Sequence, residues 1–207
     1  MNHQSKYVAL DIGNVLFHVY LEDFYNFLLR EEIFETIEET CEFCDSIQPS
    51  LDLGIHTIKE SFHLRLGITG TSLRLIHEKW LDIVRPSGDM LDLIDDLLVS
   101  GYHVALLSNI GFDHAAVVRD KCNVFNKCIQ HFSCDVGARK PTKLFFQSFI
   151  LDHDWSLNDK KPFFDDRREN VKASQPYLLG MHFDIRDHNS DKEAAELIKS
   201  TLHDIFS

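Results

Sequence analysis

Asp11, Ser108, Lys140, Asp165 and Asp166 are side chains that could do chemistry together, and each closes or follows a short apolar run of the chain. Such runs read as buried strands. In a parallel sheet the carboxyl ends of the strands lie along one edge, so residues distant in sequence converge on one crevice. Carboxylates gathered there repel one another unless a cation lies between them, and oxygen donors alone select a hard ion such as Mg²⁺. A lysine and a serine hydroxyl beside that ion suit the remaining charge and acceptor atoms of a phosphoryl group.

The elements that would position these residues can be read from periodicity. Lys6 to Asp11, His103 to Leu107, Gln130 to Asp135, Pro162 to Phe164 and Leu178 to Phe183 are the strand candidates. Helical spacing connects them: Leu91, Ile94 and Leu98; Leu144, Phe145, Ser148 and Phe149; and Ala195, Ile198, Leu202 and Ile205. The last helix opens with Ser190 and Glu193 at capping-box spacing. This alternation predicts an α/β fold, a doubly wound parallel sheet of about five or six strands. From about Glu22 to Val84 the alternation stops. Four helical stripes follow one another there: Leu21, Phe24 and Leu28; Ile33, Ile37, Cys41 and Cys44; Ile55, Ile58, Phe62 and Leu66; and Leu73, Ile76, Trp80 and Val84. Pro49-Ser50 and Gly67 to Thr71 are the predicted turns between them. The division expected is a core of residues 1–20 and 86–207, with residues 21–85 as a helical bundle inserted after the first strand. Such an insert would sit over the carboxyl ends of the strands.

Composition narrows the function classes. Thirty-three acidic against 21 basic residues give a formal charge of −12, which repels a phosphate backbone and argues against nucleic-acid binding. No run approaches the roughly 18 apolar residues of a membrane span, and the opening residues reach Asp11 without a leader-like apolar core, so a cytoplasmic protein is expected. Five scattered cysteines fit neither a disulfide framework nor paired zinc knuckles. Cys41 and Cys44 lie on an apolar stripe and read as packing residues. Nothing in the sequence specifies an oligomeric state.

In order along the chain stand VALDIGNVLF with Asp11, VALLSN with Ser108, GARKPTKLFF with Lys140, and PFFDDRRENVKAS with Asp165 and Asp166. These segments resemble the four motifs of the haloacid dehalogenase (HAD)-like hydrolases of the capped phosphatase type, and the resemblance covers essentially the whole chain. It implies a Rossmann-like core with the insert as cap. Asp11 would be the nucleophile attacking phosphorus, Ser108 would hydrogen-bond a phosphoryl oxygen, and Lys140 would neutralise the nucleophile and the transferring group. Mg²⁺ would be held by Asp11, the Gly13 carbonyl and the acid pair, with Asp166 the preferred direct ligand and Asp165 supporting it. Asn14 and Asn109 are candidates for shaping the loops around the substrate.

Gly13 departs from the family pattern, which places a general acid and base two residues after the nucleophile. The D-x-G-N-V form resembles a subgroup that includes sugar 1-phosphate phosphatases, whose anomeric leaving group departs with less protonation. His18 and His114 are candidates for replacing the proton transfer at neutral pH. The reading is therefore a Mg²⁺-dependent phosphomonoesterase acting on a small phosphorylated metabolite. The alternatives are a catalytically impaired ligand-binding or regulatory protein, or a metal-independent C-halogen hydrolase, against which the acid pair speaks.

Overall fold

In the computed structural model, which describes residues 6–153, 155 and 160–207, the first apolar run forms β1 (Lys6–Leu10). The chain continues through β2 (Phe17–Val19), four helices, α1 (Leu21–Arg30), α2 (Ile37–Asp52), α3 (Ile58–Leu66) and α4 (Gly70–Asp82), and then β3 (Val84–Pro86). After α5 (Gly88–Val99) come β4 (Tyr102–Ser108), α6 (Phe112–Lys121), β5 (Ile129–Phe132), the single turn α7 (Ser133–Val136) and α8 (Lys143–Asp152). The last elements are β6 (Pro162–Asp165), α9 (Arg168–Ser174), β7 (Leu179–His182) and α10 (Asp191–Phe206). The segment before Lys6, on which the expectation of no leader rests, lies outside the described residues. No helix among the described residues is long and apolar enough to cross a membrane.

A five-stranded sheet of order β5-β4-β1-β6-β7, parallel throughout, forms the centre. Side chains alternate across it as the period of two requires. Val8 and Leu10 of β1 and Val104 and Leu106 of β4 enter one apolar cluster with Ile94 of α5 and Ile198 and Leu202 of α10. Ala9, Ala105 and Leu107 face the other side, against Phe145, Phe146 and Phe149 of α8. Both faces are covered, as parallel sheets require.

Four local expectations are corrected. Pro49-Ser50 is not a turn: α2 runs through Pro49 to Asp52, because the stripe of Phe43, Ile47 and Leu51 stays buried while Pro49 faces outward. The chain turns instead just after Asp52, at Gly54, whose φ of 66° lies in the left-handed region. Val84 leaves its helical stripe to pair in β3, antiparallel to β2, so that a short ribbon stands at the foot of the four helices. The run from Gln130 stops as a strand at Phe132, and Ser133 starts a helical turn closed by Gly137 in the left-handed conformation. The last helix begins with Ser190 accepting the Glu193 N–H, but the Glu193 carboxylate returns to the backbone N–H of Asn189, one residue earlier than in a capping box. All five cysteines are free.

Candidate active site at the carboxyl edge of the sheet

Asp11 follows β1 directly, and its N–H donates to the Phe164 carbonyl at 2.9 Å, which ties the ends of β1 and β6 together. Its carboxylate accepts the Ile12 N–H at 2.7 Å and meets the Lys140 ammonium at 3.0 Å. Lys140 is fully buried and its Nζ also donates to Asp165 at 2.6 Å and to the Leu107 carbonyl at 2.7 Å. A buried ammonium requires such partners, because removing it from water without them would neutralise it. Burial alone would lower the Lys140 pKa, but the Asp11 and Asp165 carboxylates outweigh that effect and raise it. Lys140 is therefore a fixed positive charge.

Asp165 is fully buried and, besides Lys140, accepts the Arg167 N–H at 2.9 Å and the Asn170 amide at 3.0 and 3.2 Å. Asp166 is less enclosed and has one oxygen on the Asn14 amide at 3.0 Å. Asp11, Asp165 and Asp166 each offer a carboxylate oxygen, all within 4.8 Å of one another, a grouping that could hold a metal ion. Two of these acids, Asp11 and Asp166, are raised, first by burial and then by the neighbouring carboxylates. Burial pushes Asp11 up to about 7, Asp165 and Asp166 add to the rise, and Lys140 opposes it. Asp166 is also raised, chiefly by burial and against the Asn14 hydrogen bond. One ammonium does not balance this set, and an all-oxygen donor group short of positive charge fits a hard divalent cation.

Ser108, at the end of β4, is 4% exposed and lines the cleft beside Asp11, with no protein partner for its hydroxyl among the described residues. Asn14 and Asn109 also line the cleft, yet their amides are engaged by the protein. Asn14, at φ 52°, donates to Asp166 and accepts the Val19 N–H at 3.2 Å. Asn109 accepts the Lys140 N–H and donates to the Lys140 carbonyl, so both asparagines hold other site residues in place. At Gly13 an added Cβ would meet, among the described residues, only Val19 Cγ2, at 3.4 Å, an ordinary contact. The backbone there does not need glycine.

Neither histidine proposed for proton transfer is placed for it. His18 turns away to a carboxylate of Asp191 at 3.0 Å and does not line the cleft. His114 is in the cleft wall, but its Nε2 donates to the Trp80 carbonyl at 2.8 Å, and burial lowers its pKa. The cavity, of about 280 Å³, is roofed from the helical segment by Tyr25, Gln48, Asp52, His56 and Trp80. Sequence reasoning missed Asn170, although an amide side chain in the first turn of the helix after the acid pair is a usable signal. It also missed Asp52 and His56, for which there was none.

No protein-family model and no curated protein matches the sequence. Solved structures do match. A predicted HAD-like family hydrolase from Porphyromonas gingivalis superposes with a TM-score of 0.76 at 21% identity, over 94% of this chain and 98% of that one. The HAD family enzyme BT-2542 from Bacteroides thetaiotaomicron, wild-type protein in complex with magnesium and inorganic phosphate, gives 0.75 at 21% identity over 91% and 98%. An L-2-haloacid dehalogenase from Xanthobacter autotrophicus, with chloropropionic acid covalently bound, gives 0.60 at 14% identity over 96% and 84%. The chain thus has the Rossmann-like α/β fold of the haloacid dehalogenase type.

Proposed function

We propose that the protein is a Mg²⁺-dependent phosphomonoesterase that transfers the phosphoryl group of a small metabolite to Asp11 and then to water. The observation that carries this reading is the buried Lys140 ammonium held between Asp11 and Asp165, with Asp166 alongside and all three acids close enough for one cation. The magnesium and phosphate bound to BT-2542 at the same fold support it.

Asp11, Asp166 and the Gly13 carbonyl would hold Mg²⁺, with Asp165 supporting the set. When bound, the ion screens the negative charge of the phosphoryl oxygens and lowers the proton affinity of Asp11. The Asp11 carboxylate attacks phosphorus in line as the bond to the leaving oxygen breaks. The Ile12 N–H and Lys140 fix the carboxylate for that attack, and the Ser108 hydroxyl donates to a phosphoryl oxygen. Water then attacks phosphorus, the P–O bond to Asp11 breaks, and inorganic phosphate departs. Lys140 keeps its proton throughout, since its carboxylate neighbours outweigh burial. Residues 21–85 act as the cap, and the cavity of about 280 Å³ beneath it suits a small ester rather than a phosphoprotein.

Gly13 sets the leaving-group preference. With no acid at this position, solvent protonates the departing oxygen, and an anomeric hydroxyl, more acidic than an ordinary alcohol, leaves most readily. A sugar 1-phosphate is the substrate class we favour. The test is phosphate release from glucose 1-phosphate, glucose 6-phosphate and a series of aryl phosphates. Faster 1-phosphate turnover and a rate that falls steeply with leaving-group pKa are expected, and a flat dependence would refute the leaving-group argument. Gly13 also supports a second reading, a ligand-binding protein with an impaired site, for which Mg²⁺-dependent phosphate binding without turnover would be the signature.

A further inference from the structure

The helical segment is fastened to the core at the end of α2, beside the loop that carries Lys140. The Asp52 carboxylate, 2% exposed, meets Arg139 Nη2 at 2.8 Å and accepts the Gln48 amide at 2.7 Å. The Asp52 carbonyl accepts the Ser133 hydroxyl at 2.6 Å, and that same hydroxyl oxygen accepts the Ile110 N–H at 2.9 Å. One residue of α2 is thereby joined to the loop after β4 and to the helical turn α7 after β5. The approach is close enough that a Cβ on Gly111 would lie 2.6 Å from the Leu51 carbonyl oxygen. Only glycine lets the two backbones meet there.

Arg139 precedes Lys140, and its carbonyl accepts both the N–H and the hydroxyl of Thr142, so the turn from 139 to 142 moves as a unit. Asn109 grips the Lys140 backbone from the other side. Asp52 is enclosed while Arg139 keeps a quarter of its side chain exposed, and such a pair is poor evidence of stabilisation, since desolvation of the carboxylate offsets the attraction. Burial raises the Asp52 pKa even against Arg139, and Arg139 Nε is buried with no hydrogen-bond partner among the described residues. Both groups would regain hydration if α2 lifted away. A contact that joins α2 to the residue before Lys140 is suited to making the position of that ammonium depend on whether the roof is seated.

We propose that Asp52 is a positioning residue which, through Arg139, places Lys140 for phosphoryl transfer only when the helical roof is closed over the cleft. The proposal rests on the phosphatase reading for its kinetic consequence but not for its structural one. In the seated arrangement Lys140 is held on three sides: by Asp52 through Arg139, by Asn109 at its own backbone, and by its carboxylate partners at the ammonium. With the Asp52 contact broken, the turn gains freedom and the ammonium no longer stays in register with Asp11. Misplacement of a reacting group by about 1 Å can cost on the order of 100-fold in rate.

The test compares the wild-type protein with Asp52→Asn, Arg139→Gln and the double variant. It reads steady-state kinetics with Mg²⁺ and an activated aryl phosphate, and hydrogen exchange at the Lys140 and Thr142 amides. We expect each single variant to fold, to lose about 10- to 100-fold in kcat with KM within about threefold, and to exchange faster at those amides. The double variant should be no slower than the slower single, because both break one contact. Lowered melting temperatures with wild-type kcat and unchanged exchange at Lys140 and Thr142 would overturn the proposal, as would losses that multiply in the double variant. If the wild-type protein shows no turnover, the phosphatase reading fails and the exchange arm decides alone: faster exchange in Asp52→Asn sustains the coupling, and unchanged exchange refutes it.

Discussion

Asn109 and Lys140 are joined by two hydrogen bonds in opposite directions: the Asn109 Oδ1 accepts the Lys140 N–H at 2.7 Å, and its Nδ2 donates to the Lys140 carbonyl at 2.8 Å. The side chain of the residue after β4 thus substitutes for a strand neighbour and holds the backbone of the loop after α7. A site that needs its ammonium within hydrogen-bond reach of two carboxylates has this clamp as its nearest support.

Replacing Asn109 by alanine removes both bonds and leaves part-buried backbone groups unpaired, at a cost of about 1–3 kcal/mol. Turnover should fall by more than the melting shift explains, because Lys140 loses its register. Thermal denaturation together with kcat for Asn109→Ala checks this. Equal activity at reduced stability would limit the clamp to a structural role.

Gly13→Asp should be tolerated, since among the described residues an added Cβ meets only Val19 Cγ2, at an ordinary 3.4 Å. A positioned acid and base is worth about 10²- to 10⁴-fold, and that gain should appear on esters with poor leaving groups and be small on activated aryl phosphates. Measuring the slope of log kcat against leaving-group pKa in both proteins tests this; parallel slopes would contradict it.

These predictions draw unequally on what was legible in the chain. An apolar run ending in an acid, or in Ser-Asn, reports a strand delivering a side chain to the sheet edge, and so Asp11, Ser108, Asp165 and Asp166 could be found from types and spacing. The amides of Asn14 and Asn109 could not be assigned that way, because proximity to a motif does not say whether a side chain faces ligand or protein. The ribbon of β2 and β3 is three residues deep on each side, too short for a period of two to register. Pro49 reads as a turn because proline usually ends a helix, yet near the end of α2 one missing amide bond is outweighed by continued burial of Ile47 and Leu51. Asp52 carried no signal at all, since its significance comes from a contact between segments far apart in the chain.

The pH dependence of stability has a separable contribution from His131. It is 1% exposed, its Nε2 lies 3.1 Å from the Phe145 carbonyl, and burial lowers its pKa from 6.5. The folded form therefore binds this proton less readily than the unfolded chain, so its contribution is present above pH 6.5 and is lost as the pH falls toward the depressed folded value. In His131→Gln the loss of stability between pH 7.5 and 5 should be smaller than in the wild-type protein. Denaturant midpoints at the two pH values measure the difference, and identical losses would contradict it.

Asp11 provides the opposite sign. Its carboxyl is raised from 3.8 to about 7, so the folded protein without a cation holds a proton that the unfolded chain has released. That contribution to stability is full below 3.8 and disappears as the pH rises through about 7. Proton and cation compete for the same carboxylate, and Mg²⁺ affinity should weaken as the pH is lowered below 7. Calorimetry in buffers of different ionisation enthalpy should detect proton release on Mg²⁺ binding at pH 6. Absence of release, at equal affinity across pH 6 to 8, would separate the cation from Asp11.

The most direct test of the account is inorganic phosphate release from an activated aryl phosphate by the wild-type protein and by Asp11→Asn, each with Mg²⁺ and with excess chelator. We expect turnover only in the wild-type protein and only with Mg²⁺. Turnover that survives Asp11→Asn, or that is indifferent to chelation, would contradict it.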